Sequence, residues 1–307
     1  MTPRRPSPRR PSRRAGFTLV ELMVAMVAGL IAIGAIYTLS AASARHFHEQ
    51  QRVARTQSAL RLAMNRLRHD FGRAGFLGTP NSTLDARCAT QAAEVAAIDR
   101  FVNDDPDATA WLPNAVENGV SADSVVLTGN YASADGYLAI GLSGSGDTVF
   151  LQQNWQAFRR SFGVPFDEDA FAEVFRTGRL LRLRTQQGRT FILRITGINA
   201  DRAAVRFTPA LPIGGSCVVG LADGALVSPL SRIEYTVGDL SRDGSGMGAN
   251  MAPADGPVGD DDVRGRTMSQ LVRRELTAVG DDAVEGSARS LLDHVADFNL
   301  RFVYDLG

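Results

Sequence analysis

The feature that most constrains this chain is an uncharged stretch of 23 residues, 22–44, that begins directly after Glu21. As a helix it would rise ~35 Å at 1.5 Å per residue, enough to cross the ~30 Å hydrocarbon core of a bilayer. The stretch therefore predicts a membrane-spanning or bundling helix. A charge at the bilayer centre costs ~2.5–3.5 kcal/mol on translocon-type scales. Glu21 is therefore a candidate functional residue.

The residues before this stretch predict its orientation. Residues 1–16 are rich in Pro, Ser and Arg, and they hold six arginines and no acidic residue. Positive charge favours the cytoplasmic side, so the remainder of the chain is expected on the opposite side of the membrane. An ordinary secretory signal has its small-residue cleavage site after the apolar region, whereas Gly16 lies before it. A plain membrane anchor with a basic tail is the simpler alternative.

The helix signal continues beyond the apolar stretch, because no proline occurs between Phe17 and Pro80. Residues 45–75 are predicted to form an amphipathic continuation of the helix. Apolar residues recur there at spacings of 4, 3 and 4 on one helical face: Leu60, Met64, Leu67 and Phe71. Arg66 and Asp70 are expected to form an i,i+4 ion pair on another face. The apolar half, residues 17–44, must be surrounded by lipid or other helices, and the amphipathic half must pack on a globular domain.

The remaining residues, 76–307, are predicted to form a globular antiparallel β-rich headgroup. Alternating apolar and polar residues with short turns indicate strands at 124–128, 137–142, 147–152, 231–237, 270–276 and 298–304, and a meander over 179–208. Helical patches are expected at 167–175 and 289–295, and a long loop at 238–262. The predicted class is α+β, a long N-terminal helical spine packed on an antiparallel sheet.

Two parts of the sequence resemble a known family. Ala-Gly-Phe-Thr-Leu-Val-Glu at 15–21, followed by the apolar stretch, resembles the class III signal of type IV pilins and pseudopilins. Three C-terminal segments resemble the arrangement in PilW-type minor pilins: Arg232–Tyr235, Gln270–Glu275 and Val295–Tyr304. The resemblance implies a pilin-like fold. It also implies that prepilin peptidase cuts between Gly16 and Phe17, removes residues 1–16 and methylates the Phe17 amine. Glu21 would pair with the methylated amine of a neighbouring subunit.

The function that the resemblance implies is structural. A minor pilin of this type is a low-copy subunit that primes assembly of a type IV pilus, needed for twitching motility, and sits near its tip. Its partners would be other minor pilins, the major pilin, prepilin peptidase, the inner-membrane assembly platform and, through residues 17–44, lipid. It would reside in the inner membrane with a periplasmic headgroup before assembly, and in the extracellular pilus afterwards. The alternatives are a J-type minor pseudopilin of a type II secretion system, and a pilus-tip adhesin or DNA-binding subunit.

Cys88 and Cys217 both follow the apolar stretch, which places them in the oxidising periplasm if the predicted orientation holds. An even number of cysteines there favours a disulfide between them. The bridge would close a loop of ~130 residues, for which the chain-entropy model allows about 4–5 kcal/mol. Two unpaired thiols are the alternative.

No catalytic, cofactor or metal site is predicted. The chain contains no lysine, which excludes a P-loop, a Schiff base and a Ser-Lys dyad. Gly141–Gly146 comes near the Gly-x-Ser-x-Gly pattern of hydrolases but does not match it, so a hairpin turn is expected there. The acidic residues of loop 238–262 fit no EF-hand spacing, which favours a solvated loop over a calcium site. The chain is therefore not expected to be an enzyme.

The meander carries a run of arginines that suggests a basic face: Arg179, Arg182, Arg184, Arg189, Arg194, Arg202 and Arg206. Nucleic-acid surfaces of this kind usually interleave exposed aromatic residues with the charges, and this run does not. Removing residues 1–16 also leaves an acidic chain, which has no general electrostatic attraction to nucleic acid. A face that meets solvent or another subunit is favoured, and nucleic acid is an unlikely partner.

Overall fold

A computed structural model describes residues 18–85, 94–101, 123–212, 221, 224–238, 270–278, 283–284, 286–293, 295, 298 and 300. The chain separates into two compact units, residues 1–58 and 59–307. These units are defined by packing alone. The predicted boundaries after residues 16, 44 and 75 therefore stay predictions, because they depend on processing and on the membrane.

The first unit holds most of helix α1, which spans Leu19–Gly72. Its first turn is capped by Thr18, whose Oγ1 accepts from the Glu21 backbone N–H at 3.3 Å. The most apolar part of the helix contains no buried residue. Among the described residues it is the one helix long and apolar enough to cross a membrane.

The second unit contains the end of α1 and ten described strands, all paired antiparallel. The strands are β1 (Ile98–Phe101), β2 (Ser124–Gly129), β3 (Tyr137–Leu142), β4 (Thr148–Leu151), β5 (Leu180–Arg184), β6 (Thr190–Asn199), β7 (Ala204–Thr208), β8 (Leu226–Gly238), β9 (Gln270–Leu276) and β10 (Arg289–Asp293). The predicted α+β class, a long apolar N-terminal helix and an antiparallel sheet, is confirmed.

The described strands form two sub-sheets that share β8. In the open sheet the order is β1-β2-β8-β9-β10. In the barrel the pairs β3–β4, β4–β7, β7–β6, β6–β5, β5–β8 and β8–β3 close a six-stranded ring. Closure leaves the described ring without a free edge. The headgroup is thus a sheet with a small barrel inserted between β2 and the second half of β8.

Strand β8 serves both sub-sheets because its partners change along its length. Residues 226–230 pair with β5, and 231–238 pair with β2 and β9. Pro229 lies near the change, opposite Leu181 of β5. On its other side the β3 pairing covers 226–227 and the β2 pairing begins at Ser231. Proline cannot donate to a ladder, and this point of β8 has a described partner on one side alone.

Each sub-sheet has its own core. The open sheet packs on the end of α1, and the core they share contains Leu67, Val125, Leu127, Ile233 and Val237. The barrel core includes inward residues of all six strands, and two short helices, α2 (Gln156–Phe162) and α3 (Glu168–Val174), add aromatic rings to it. These rings cluster around Tyr137: Phe158, Phe162, Phe171 and Phe175, with Phe166 beside them. Large buried aromatic surfaces of this kind dominate core energetics.

Most of the predicted strands are confirmed within a residue or two, and so are the meander and the helix near 167–175, where Asp167 caps α3. The helix predicted at 289–295 is wrong: Arg289–Asp293 is β10, paired with β9. A segment this short shows no decisive periodicity, and pairing with β9 decides its conformation. Strand β1 and helix α2 were not predicted. Phe298 and Leu300 pack on the open-sheet core, whereas most of loop 238–262 and the end of the predicted strand 298–304 lie outside the described residues.

Candidate functional site

Glu21 lies in the first turn of α1 and is solvent-exposed in the isolated chain. Among the described residues its carboxylate has no ion-pair partner. Helix N-termini stabilise a nearby negative charge by ~0.3–1 kcal/mol, so its position suits a carboxylate.

The helix surface around Glu21 is apolar and unpacked. Its exposed large side chains are Leu19, Val20, Leu22, Met23, Val24, Met26, Val27, Leu30, Ile31, Ile33, Ile36, Tyr37 and Leu39. Contiguous exposed apolar surface of this extent marks a contact with lipid or with other proteins. The apolar residues lie all around the helix, so the segment requires an apolar environment on every side.

The second candidate feature is a charge cluster at the other end of α1, centred on Asp70, which is fully buried. Its Oδ2 accepts from Tyr235 Oη at 2.6 Å and from Arg273 Nε at 2.7 Å. Arg66 Nε lies 3.4 Å from the same oxygen, and His69 Nδ1 lies 3.1 Å from Oδ1. The open sheet therefore binds the helix end through a satisfied buried carboxylate as well as through apolar packing.

Burial of Asp70 acts to raise its pKa, but the hydrogen bonds from Tyr235, Arg273 and His69 and the charge of Arg273 outweigh it. The pKa of Asp70 consequently lies below its usual value. The same contact raises the pKa of Arg273, although burial opposes this effect. Burial and the Asp70 carboxylate together raise the pKa of Tyr235 far above its usual value. Both partners of the carboxylate are thus held in their donating forms.

A second ion pair connects the barrel to the open sheet. Arg179, immediately before β5, donates from Nε to Glu275 Oε1 at 2.5 Å and from Nη2 to Oε2 at 3.0 Å. The same guanidinium donates from Nη1 to the carbonyl oxygens of Glu173 and Val174 at the end of α3. Burial raises the pKa of Glu275, but its contacts with Arg179 more than offset this, and the pKa is lowered. Bidentate Arg–carboxylate pairs of this kind are stabilising and also fix the relative orientation of the two side chains.

The chain leaves α1 through a tight contact with β2. Gly75 N–H donates to Thr128 O at 2.8 Å. A Cβ atom on Gly129 would lie 2.5 Å from the carbonyl oxygen of Arg73, so only glycine permits this approach. The Arg73 guanidinium donates to the carbonyl oxygens of Asn130 and Ser133. These contacts fix where the helix meets the sheet.

The structure revises the predicted packing face of α1. Leu67 and Phe71 pack on the open-sheet core as predicted, whereas Leu60 and Met64 are about half exposed. Ala63 and Asp70 are buried in addition. The Arg66–Asp70 ion pair is present, but Asp70 is buried, so the face predicted to be polar is part of the packed one. Sequence spacing could not show this, because the partners Tyr235 and Arg273 are 165 and 203 residues away. The sequence did contain one signal for this face: Ala63, Leu67 and Asp70 follow one another at spacings of 4 and 3, which places all three on the same side of the helix.

The other predicted site residues divide into two groups. Gly16, Phe17, Cys88 and Cys217 lie outside the described residues, so cleavage and the disulfide stay predictions. The basic face is smaller than predicted, because Arg179 and Arg182 are buried; Arg184, Arg194, Arg202 and Arg206 are exposed. The predicted hairpin turn at 141–146 is confirmed, with Ser143 N–H donating to Thr148 O at 2.8 Å. Within the described residues, no group of His, Cys, Asp and Glu could hold a metal ion.

Comparison with known families gives one match. Residues 11–37 match the model described as the prokaryotic N-terminal methylation motif. The match supports a type IV pilin-like protein. Such a motif fits a pilin or a pseudopilin, suggests a structural role, and implies processing by prepilin peptidase and assembly with other pilins. No curated protein and no solved structure matches the chain.

Proposed function

We propose that the chain is a minor pilin of the PilW type, a low-copy subunit that primes assembly of a type IV pilus and sits near its tip. Residues 1–16 are the leader, 17–44 the membrane and assembly segment, 45–75 the amphipathic spine and 76–307 the headgroup. The observation that carries the proposal is the exposed apolar first unit, with Glu21 as its charged residue, directly inside the methylation motif.

Glu21 acts in this proposal as the assembly residue. An unpaired carboxylate inside an apolar bundle is costly. The methylated Phe17 amine of a neighbouring subunit provides the opposite charge. Because the pairing forms at one axial position alone, it also sets the register between subunits. Assembly is therefore driven by apolar contacts and specified by one ion pair.

The headgroup favours a minor over a major subunit. It contains the barrel in addition to the open sheet that packs on α1. A barrel of this size adds bulk that every repeat of a long fibre would have to accommodate, whereas a few copies at a tip need not. The proposed partners are other minor pilins, the major pilin and the inner-membrane assembly platform. The subunit resides in the inner membrane before assembly, with its headgroup in the periplasm.

Substitution of Glu21 tests the role of this residue. Glu21→Ala is expected to reduce incorporation into sheared fibres at least about tenfold, equivalent to ~1.4 kcal/mol, while the amount in the inner membrane is unchanged. Glu49→Ala is the matched control, because Glu49 is an exposed glutamate on the same helix. Fibre and membrane fractions are quantified by immunoblot. Wild-type incorporation of Glu21→Ala would contradict the proposal.

A J-type minor pseudopilin of a type II secretion system is the alternative that shares the same helix. Deletion of the gene separates the two. Loss of surface fibres and of twitching motility supports the pilus subunit, and loss of exoprotein secretion with intact fibres supports the pseudopilin. The nucleic-acid alternative is tested by changing the exposed Arg184, Arg194 and Arg206 to Glu and measuring DNA binding at stated salt.

We further propose a disulfide between Cys88 and Cys217, both of which belong to the periplasmic headgroup in this model of function. Non-reducing peptide mass spectrometry of protein purified from membranes is expected to recover the cross-linked pair. Recovery of both cysteines as free thiols under oxidising handling would contradict it.

A further inference from the structure

A polar cavity lies within the second unit, where the end of α1, helix α3 and strands β8 and β9 meet. Its volume is about 260 Å³, far more than a single water needs and just below the range of typical small-molecule sites. The side chains that give it its chemistry are Arg66, Tyr131, Arg179, Ser231, Arg273 and Glu275. Ligand sites are usually mostly apolar, so a polar lining indicates a polar ligand.

The charges around this cavity leave one positive charge without a counterion. Arg179 and Glu275 neutralise each other in the bidentate pair. Glu173, also in the wall, lies 2.5 Å from Arg176 and 3.9 Å from Arg179, so Arg176 and Arg179 together are balanced by Glu173 and Glu275. Asp70 then remains as the counterion of both Arg66 and Arg273. Two guanidinium groups share one carboxylate, so a single negative charge completes the site.

Hydrogen-bond donors are available in the same place. Arg273 contacts Asp70 through Nε and also interacts with the Tyr235 hydroxyl. Arg66 approaches Asp70 through Nε at 3.4 Å, and among the described residues its Nη atoms have no hydrogen-bond acceptor. The Ser231 hydroxyl, in a residue only 2% exposed, lies beside the Glu275 carboxylate and helps to lower its pKa, but it makes no hydrogen bond of ordinary geometry within the described structure. A buried hydroxyl without a normal hydrogen bond is energetically unfavourable. A ligand that reaches it recovers part of that cost.

We propose that this cavity binds a small polar monocarboxylate. The planar fork of arginine matches a carboxylate in bidentate geometry, and one negative charge is what the wall lacks. Arg66 lies at the entrance of the cavity, because its side chain is 46% exposed. Arg273 forms part of the inner wall. The Ser231 hydroxyl donates to a ligand oxygen. The site does not depend on Glu21 or on assembly, so it is independent of the function proposed above.

Calorimetric titration of the full chain in detergent tests the proposal, with acetate, lactate and gluconate as probes and acetamide as the neutral control. At least one carboxylate is expected to bind with a dissociation constant of about 1 mM or below, and acetamide is not. Arg66→Gln is expected to weaken binding about tenfold and Ser231→Ala about threefold. Arg206→Gln is the matched control, because Arg206 is exposed on the outside of the barrel.

Two results would overturn the proposal. One is the absence of binding by all three carboxylates. The other is equal weakening by Arg66→Gln and Arg206→Gln, which would place any binding at unspecific surface charge. Sulfate is titrated in parallel, and sulfate binding tighter than every carboxylate would also contradict a monocarboxylate site. Arg66→Gln is expected to fold normally, since half of its side chain is in solvent, and an unchanged thermal transition verifies this.

Discussion

Two of the carboxylates on helix α1, Glu21 and Asp70, have opposite surroundings. Glu21 is exposed on an apolar helix surface and has no described ion-pair partner. Asp70 is fully buried and has hydrogen bonds or ion pairs to Tyr235, Arg273, Arg66 and His69. The chain itself satisfies the charge of Asp70, whereas the charge of Glu21 has no partner among the described residues.

The contrast separates what folding requires from what assembly requires. Buried charges are tolerated when they are paired and hydrogen-bonded. Asp70 meets that condition inside the second unit, so its loss is expected to damage the fold. Glu21 meets it only in the proposed assembly, so its loss is expected to damage assembly alone.

The largest effect is expected from Asp70→Ala, which leaves Arg273 and Tyr235 buried without their shared acceptor. Removing one partner of a buried pair typically costs ~3–5 kcal/mol, and the free energy of unfolding of the second unit should fall by that amount. Urea denaturation of the full chain in detergent, followed by circular dichroism, measures it. A loss below about 1 kcal/mol would show that the cluster is not a major support of the fold.

A smaller loss is expected for Tyr235→Phe, which retains the buried ring and removes one hydrogen bond of 2.6 Å to the carboxylate. Hydrogen bonds to charged groups contribute ~1.5–3 kcal/mol. Tyr37→Phe is the matched control, because Tyr37 is exposed in the first unit, and its change should remain within ~0.5 kcal/mol. Similar losses of unfolding free energy for Tyr235→Phe and Tyr37→Phe would show that the hydrogen bond to Asp70 does not stabilise the second unit.

Acid is expected to weaken the second unit. The pKa values of Asp70 and Glu275 are lowered in the folded chain from 3.8 and 4.5. The stability they contribute is therefore fully present above those unfolded values and is lost as the pH falls through the folded ones. Denaturation midpoints measured between pH 7 and pH 2.5 should decline below about pH 4.5. Asp70→Asn should show a shallower decline, and an unchanged slope would remove Asp70 from the explanation.

The smallest change in stability is expected from Glu21→Ala. Its carboxylate supports no described tertiary contact, so the free energy of unfolding of the second unit should change by less than ~0.5 kcal/mol, even though assembly is lost. The same denaturation assay measures this. A loss comparable to that of Asp70→Ala would mean that Glu21 has a folding role, and the two carboxylates would no longer differ as proposed.

Local patterns predicted most elements of the headgroup. Period-2 alternation located β2, β3 and the three-strand meander, and the Gly/Ser-rich segment after Gly141 is the hairpin turn. The pattern failed where a segment was too short to show a period, as in β10, or where polar residues sit in strands, as in β1. Conformation in those segments follows from pairing with β9 and β2, and pairing is not visible in local sequence.

The candidate site was predictable to a different extent at each end of α1. Glu21 stands out in the sequence because a lone charge in an apolar stretch needs no structure to be noticed. Apart from the Arg66–Asp70 pair, the Asp70 cluster and the cavity beside it were not predicted, since they join α1 to strands about 200 residues later. The arginine run of the meander misled for the same reason, because Arg179 is a buried partner of Glu275.

The sequence alone determined the apolar helix, its orientation signal, the methylation motif and the α+β class, because each depends on residues that are neighbours along the chain. The tertiary structure decided that β8 serves two sub-sheets, that the inserted strands close into a barrel, and that Asp70 is buried instead of solvated. These features depend on backbone pairing and charge contacts between distant residues. The stability of such contacts depends on how far the charged groups are removed from water and on the distances and angles between them. A local sequence pattern contains neither quantity.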